Sequence, residues 1–104
     1  DRRGLMIISK HAQKRIKERL GLPKRAVRAH VAKVLEYGSG LDQMKGQLRK
    51  YVEYRCIAYE NRCDNPRLYG HHLFFFSGET LITVLEVPTE LRKHINLNTK
   101  ETHE

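Results

Sequence analysis

No stretch of this chain approaches the roughly 18 consecutive apolar residues that a membrane-spanning helix needs. None combines a charged start, an apolar core and a small-residue cleavage site in the manner of a secretory leader. Cysteine is scarce: Cys56 and Cys63 are the two present, too few for a disulfide framework. One bridge could still form, but a reduced cytoplasmic protein is the favoured setting. No CxxC or HxxxH occurs, so Cys56, Cys63, His71 and His72 make a poor zinc set, because structural zinc sites use tight ligand pairs. Gly-rich phosphate loops, GxSxG and HExxH are missing as well. There are no internal repeats and no low-complexity tracts. No metal or cofactor is therefore expected, and no membrane partner.

Acid is scarce where base is dense. From Lys10 to Lys33 stand Lys10, Lys14, Arg15, Lys17, Arg19, Lys24, Arg25, Arg28 and Lys33 against the single acid Glu18, within a chain of net charge +8. A concentrated basic block is an electrostatic footprint for a polyanion, most often nucleic acid. The competing reading is a solvated helical surface that keeps the protein soluble; concentration of the charge favours the first.

The 104 residues, 39% of them hydrophobic and 8% aromatic, suit one domain with a modest core. Met6 is where ordered-looking sequence begins, and the core should span about 6–97, with the ends flexible. Ser9 can cap a helix from Lys10 to Leu20 that Gly21 ends, with Ala12, Ile16 and Leu20 as its apolar stripe. Pro23 suits the first turn of a second helix that stops at Gly38. "YGSGLDQMKG" reads as a loop. "QLRKYVEYRCIAYEN" fits helical spacing through Leu48, Tyr51, Val52, Arg55 and Tyr59, although its middle is rich in strand formers. "RCDNPR" reads as a turn centred on Asp64-Asn65-Pro66. Strands are expected over Arg67–Tyr69, His71–Ser77 and Leu81–Val87, then a short helix from Thr89 to His94. The class is α+β: N-terminal helices packed on a small C-terminal antiparallel sheet.

In "RLYGHHLFFFSGETLITVLEVP", Gly78-Glu79 suits a two-residue primed turn, which would set the pairing Ser77–Thr80, Phe75–Ile82 and His71–Glu86. His71 would then lie beside a carboxylate that fixes its tautomer and favours its protonated form, as general acid–base work requires. His72 would lie opposite Leu85 as the structural member of the pair. Both faces of the hairpin are apolar, so helices should cover one, and a partner or groove the other. Phe74 and Phe76 could stack bases on an open face, though aromatics at strand spacing are more often core.

In the first helix His11, Arg15 and Arg19 recur every four residues beside the apolar stripe. The arginines could bind phosphate oxygens and steady a developing phosphorane, while His11 moves a proton. An ordinary basic face with a Lys14–Glu18 pair is the plain alternative. His30, among Ala26, Val27, Val31 and Val34, reads as a packed histidine.

The stretch "SKHAQKRIKERLGL", with a second helix and a later "LITVLEVP", resembles the small toxin-type ribonucleases of the RelE, barnase and colicin tRNase supergroup. It is most similar to compact bacterial and phage relatives that open with a His-Ala-x-x-Arg helix. The likeness covers about residues 8 to 88. It implies helices on an antiparallel sheet whose face holds RNA, tRNA or mRNA, and an antitoxin or other protein partner. Position by position, it implies roles for His11 and Arg15 and for Thr83 in the Thr-Val ending. Tyr69 and His71 fall where such sheets place catalytic or base-contacting groups.

Together these readings predict a metal-independent endoribonuclease with catalytic His11, Arg15, His71 and Glu86. RNA contacts would come from Lys14, Arg19, Lys24, Arg25, Arg28, Tyr69 and Thr83. A non-catalytic nucleic-acid-binding module, or a phage-type protein that inhibits a host enzyme, are the alternatives.

Overall fold

Short polar and glycine residues divide the N-terminal half into helices as their chemistry dictates. In the computed structural model, which describes residues 6–58 and 63–95, strand β1 (Ile7–Ile8) leads into helix α1 (Lys10–Leu20). The Ser9 hydroxyl accepts the Ala12 N–H at 3.0 Å, the N-cap that satisfies an otherwise orphaned donor. The same hydroxyl donates to the Ile82 carbonyl at 3.3 Å, tying the cap to the sheet. Gly21, at φ 66°, closes α1 in the left-handed conformation and donates to the Ile16 and Lys17 carbonyls. Helix α2 (Lys24–Tyr37) follows Pro23, whose fixed φ starts it, and ends at Gly38. A side chain at Gly38 would sit 2.5 Å from the Val34 carbonyl oxygen, so close packing rather than dihedral freedom demands glycine there.

The predicted "YGSGLDQMKG" loop holds a 3-10 turn, Leu41–Gln43, and helix α3 (Gly46–Ala58) settles the ambiguous segment as helical. Tyr59 to Asn61 of that segment, and the polar tail from Asn98 to Glu104, lie outside the described residues. Strands β2 (Asn65–Tyr69), β3 (His72–Ser77) and β4 (Thr80–Glu86) come next, then a 3-10 turn, Thr89–Leu91, and helical residues 92–95.

The sheet order is β1-β4-β3-β2. Two antiparallel hairpins build most of it, and β1 adds a short parallel pairing to β4 at Ile7–Thr80 and Ile8–Leu81, so the sheet is mixed. The expected turn at Asp64-Asn65-Pro66 is corrected here: β2 already begins at Asn65. Pro66 is tolerated because β2 is the edge strand. Leu68, two residues on, points its N–H and C=O outward to Ser39 at 2.8 Å each. Pro66 shares that outward phase, so its missing N–H costs the β2–β3 ladder nothing.

Hairpin register is the second correction. Gly78 takes φ 61° in the Gly78-Glu79 turn, and Ser77 pairs with Thr80 as expected. A bulge then places one extra residue, Ile82, on β4, so Phe75 opposes Thr83 and His72 opposes Glu86. His71 is not in a strand at all. It forms with Gly70, at φ 63°, the two-residue turn that joins Tyr69 to His72.

Side chains alternate across β3, and both of its faces are covered by this chain itself. Phe74 and Phe76 pack with Ile16, Val31 and Val34 of α1 and α2. Leu73 and Phe75 pack with Leu48 and Val52 of α3 and with Val87 and Ile95. The expectation of a partner or groove over one face is therefore overturned: α3 fills that place. All three phenylalanines are fully buried, which removes base stacking from their roles. Each large side chain withdrawn from water contributes about 1.5–3 kcal/mol, and this row is the centre of the core.

Candidate functional site

The turn Gly70-His71 carries the chain from the end of β2 to the start of β3, and the bulge in β4 decides what meets there. Directly paired residues across strands share a face. Tyr69, His72 and Glu86 therefore form one row across three strands, in phase with Phe74 and so on the side of α1 and α2. The predicted His71–Glu86 pair is replaced by His72–Glu86, because Ile82 adds a residue to β4 that the turn-based count lacks.

Two helices reach this row. Helix α2 brings His30, whose ring stands 5.5 Å from the Tyr69 ring at an interplanar angle of 80°, an edge-to-face contact. It also lies 5.8 Å from the Phe74 ring. Helix α1 brings Arg19, whose Nε donates to the Val84 carbonyl at 3.0 Å. That carbonyl lies beyond the reach of the two-residue β1 and would otherwise face an open sheet edge. The interaction fixes the root of the guanidinium beside β4, and the Arg19 side chain is exposed. Arg92, just past β4, donates from Nε to the Val87 carbonyl at 3.0 Å. Its charge and that of Arg19 are both felt at His72.

Electrostatics set the protonation of the two half-buried imidazoles. Burial lowers the pKa of His30 from the usual 6.5, and Lys33 and His72 lower it further. Burial also lowers that of His72; Glu86 pulls it back up, while His71, Arg92 and Arg19 push it down. His30 thus has only influences that favour the neutral base. His72 alone has a carboxylate that favours its imidazolium. His72 Nε2 is buried with no hydrogen-bond partner among the described residues. An unsatisfied nitrogen of this kind is costly unless a further group completes it.

The other predicted residues do not gather at this end: most are spread over the surface, and Thr83 is buried. His11 is exposed in the first turn of α1, about 12 Å of helix before Arg19 at 1.5 Å per residue, so it stands away from the His72 end. Arg15 pairs with Glu18 at 2.6 Å, the partner anticipated for Lys14. Lys14, Lys24 and Arg28 line a separate groove of about 690 Å³ floored by Ile8, Leu22 and Val27. Arg28 Nη2 donates to the Met6 carbonyl at 2.7 Å there. Arg25 is exposed on α2. Thr83, 2% exposed and opposite Phe75 on the α3 face, is withdrawn from any solvent-borne ligand. Of the predicted set, Arg19, Tyr69, His71 and Glu86 meet at one end of the sheet. His11 and Arg15 do not join them.

His30 and His72 are the members that sequence reasoning assigned to packing. His30 is indeed packed, and what it packs on is Tyr69. Its signal was its position at the flank of the Val27, Val31, Val34 stripe, where a side chain leans on the sheet yet reaches its rim. No group of three or more His, Cys, Asp or Glu side chains able to hold a metal occurs among the described residues. No helix among them is long and apolar enough to cross a membrane. The chain matches no protein-family model, no curated protein and no solved structure.

Proposed function

We propose that this chain acts on RNA as a metal-independent endoribonuclease, and that its reacting groups are His30 and His72 rather than His11 and His71. One observation carries the reading: two half-buried imidazoles, one with and one without a carboxylate partner, lie close enough that the charge of His72 is felt at His30, at a sheet end where Tyr69 packs on His30, and where Arg19, His71 and Glu86 are exposed. Two titratable groups whose surroundings separate their tasks are what acid–base phosphoryl transfer requires.

In this reading His30, held neutral, takes the proton from a ribose 2′-hydroxyl. The 2′-oxygen attacks the adjacent phosphorus, and the outer nitrogens of Arg19 hold the charge that builds on the equatorial oxygens. His72 gives a proton to the departing 5′-oxygen; burial lowers its pKa in the free protein, so Glu86 and the bound phosphate together charge the ring for this step. The products are a 2′,3′-cyclic phosphate and a 5′-hydroxyl. Tyr69 holds the His30 ring in place, and His71 at the exposed turn faces the incoming strand. Lys14, Lys24 and Arg25 track the phosphate backbone.

Incubating the purified protein with total RNA in EDTA tests this. Discrete fragments ending in cyclic phosphate are expected. His30→Asn and His72→Asn should each lose about 10²–10⁴-fold in rate, with His11→Ala close to the parent. Intact RNA throughout would sink the nuclease. The nine cations from Lys10 to Lys33 named above favour one other reading, a non-catalytic nucleic-acid binder. It predicts steeply salt-dependent binding without cleavage.

A further inference from the structure

At the end of the sheet away from the histidines, the two cysteines of the chain face each other. Cys56 lies in the last turn of α3 and is half-buried, while Cys63, just before β2, is buried. Their sulfurs are 3.1 Å apart, with the Cys56 thiol donating to Cys63. A disulfide needs about 2.05 Å, so closure asks for roughly 1 Å of sulfur movement. A surface cavity of about 390 Å³, lined by Glu53, Ile57, Asp64 and Pro66 besides the cysteines, opens onto the pair.

We infer that Cys56 and Cys63 form a reversible thiol–disulfide site, which when oxidised clips the end of α3 to the start of β2. The oxidant class is a small-molecule disulfide, and the two acids at the cavity favour a cationic one over an anionic one. Cys56, the more accessible sulfur, attacks first: a mixed disulfide forms and one small thiolate leaves. Cys63, already in contact behind it, then attacks the Cys56 sulfur and expels the second small thiolate. The two thiol protons pass to the released thiolates. Two protein thiols and one small disulfide become one protein disulfide and two small thiols; the protein sulfurs are oxidised and the reagent is reduced.

The surroundings make this a slow, base-favoured reaction. Burial pushes the Cys56 thiol up despite its bond to Cys63, and Asp64 and Glu53 add to the rise. Burial and the neighbouring Cys56 push Cys63 up further still. Only the thiolate is nucleophilic, so the rate should climb with pH. The bond would tie down α3, the helix that covers the Leu73 and Phe75 face of the sheet.

The experiment treats the full, native chain with cystamine and reads intact mass under non-reducing conditions. The native protein should lose the mass of two hydrogens and both free thiols, form no disulfide between chains, and recover both thiols with dithiothreitol. Closing a loop this short should raise Tm by roughly 10 °C. Cys63→Ala should trap cysteamine on Cys56, whereas Cys56→Ala should leave the buried Cys63 unmodified. If Cys63→Ala fails to fold, Cys63→Ser supplies the same trap. A persistent cysteamine adduct on the native chain, a disulfide-linked dimer, or no reaction even well above about pH 8.5, where raised thiols ionise, would each overturn the site. A bond that forms without raising Tm would overturn the clip.

Discussion

Acidification should weaken this fold between neutral pH and about pH 5, and His30 and His72 should carry the loss. Burial is the first cause that lowers both rings below 6.5 in the folded chain, with neighbouring cations adding to it. The same rings titrate near 6.5 once unfolded. Well above that value neither state binds the proton, and pH has no leverage through these groups. As pH falls through it, the unfolded chain takes up protons that the folded chain refuses, so the free energy of unfolding drops. The loss levels off once pH passes below the folded values. Linkage limits each histidine to about 1.4 kcal/mol per pH unit, so the pair can contribute no more than about 2.7 kcal/mol per unit. Because the charge of His72 is felt at His30, the two uptake steps separate and the decline is spread out. Against a total stability of about 5–15 kcal/mol the effect is easily measured. Urea unfolding followed by far-UV circular dichroism, at steps from about pH 7.5 to pH 5, gives the slope. His30→Asn and His72→Asn should each flatten it in part, and the double variant should flatten it most. A parent whose stability is constant across that range would refute the reasoning, as would a double variant with an undiminished slope. The first outcome would mean that neither imidazole is held neutral by the fold, and the proposed general base would lose its footing.

Three other outcomes test separate parts of the structure. Phe75→Ala, at a fully buried position on the α3 face, should destabilise the chain by about 3–5 kcal/mol in chemical unfolding. Gly38→Ala places a methyl 2.5 Å from the Val34 carbonyl oxygen; it should cost about 1–3 kcal/mol, whereas Gly70→Ala, with open space around it, should show only a left-handed strain of about 1–2 kcal/mol. If the basic helices bind RNA, the triple variant Lys14→Gln, Lys24→Gln, Arg25→Gln should reduce the slope of log K against log salt by about two to three in a filter-binding titration; an unchanged slope would place the phosphate contacts elsewhere.

The helices were legible because their punctuation is chemical and local. A serine that can accept an N–H, a glycine able to take φ 66° and a proline with fixed φ mark the same boundaries in the chain as in the fold. α3 was harder: only Leu48 and Val52 of its residues are buried, while Tyr54 and Ile57 are each 67% exposed, so its apolar residues do not describe one stripe. Leu48–Val52 spacing favoured a helix, and the tyrosines and β-branched residues pulled the other way. The candidate site divided along the same line between local and non-local causes. Arg19 became a candidate through its four-residue spacing with His11 and Arg15, Tyr69 through the resemblance, and Glu86 through a register that set it opposite His71. The pairing of His72 with Glu86 depends on a bulge at Ile82, and nothing in Leu81-Ile82-Thr83-Val84 distinguishes the extra residue, since all four are good strand formers. The bulge is chosen by packing: with Ile82 set aside, Leu81 and Val84 both reach the α1–α2 core, alongside Phe74 and Phe76. A strict period of two would have sent Leu81 and Val84 to opposite faces. Burying both under the helices favours the bulge, and the same shift moves the carboxylate from His71 to His72. The identity of the paired histidine is therefore a consequence of core packing at Leu81 and Val84, on the neighbouring strand and far along the chain from either imidazole, which is why it lay beyond any count made from the turn.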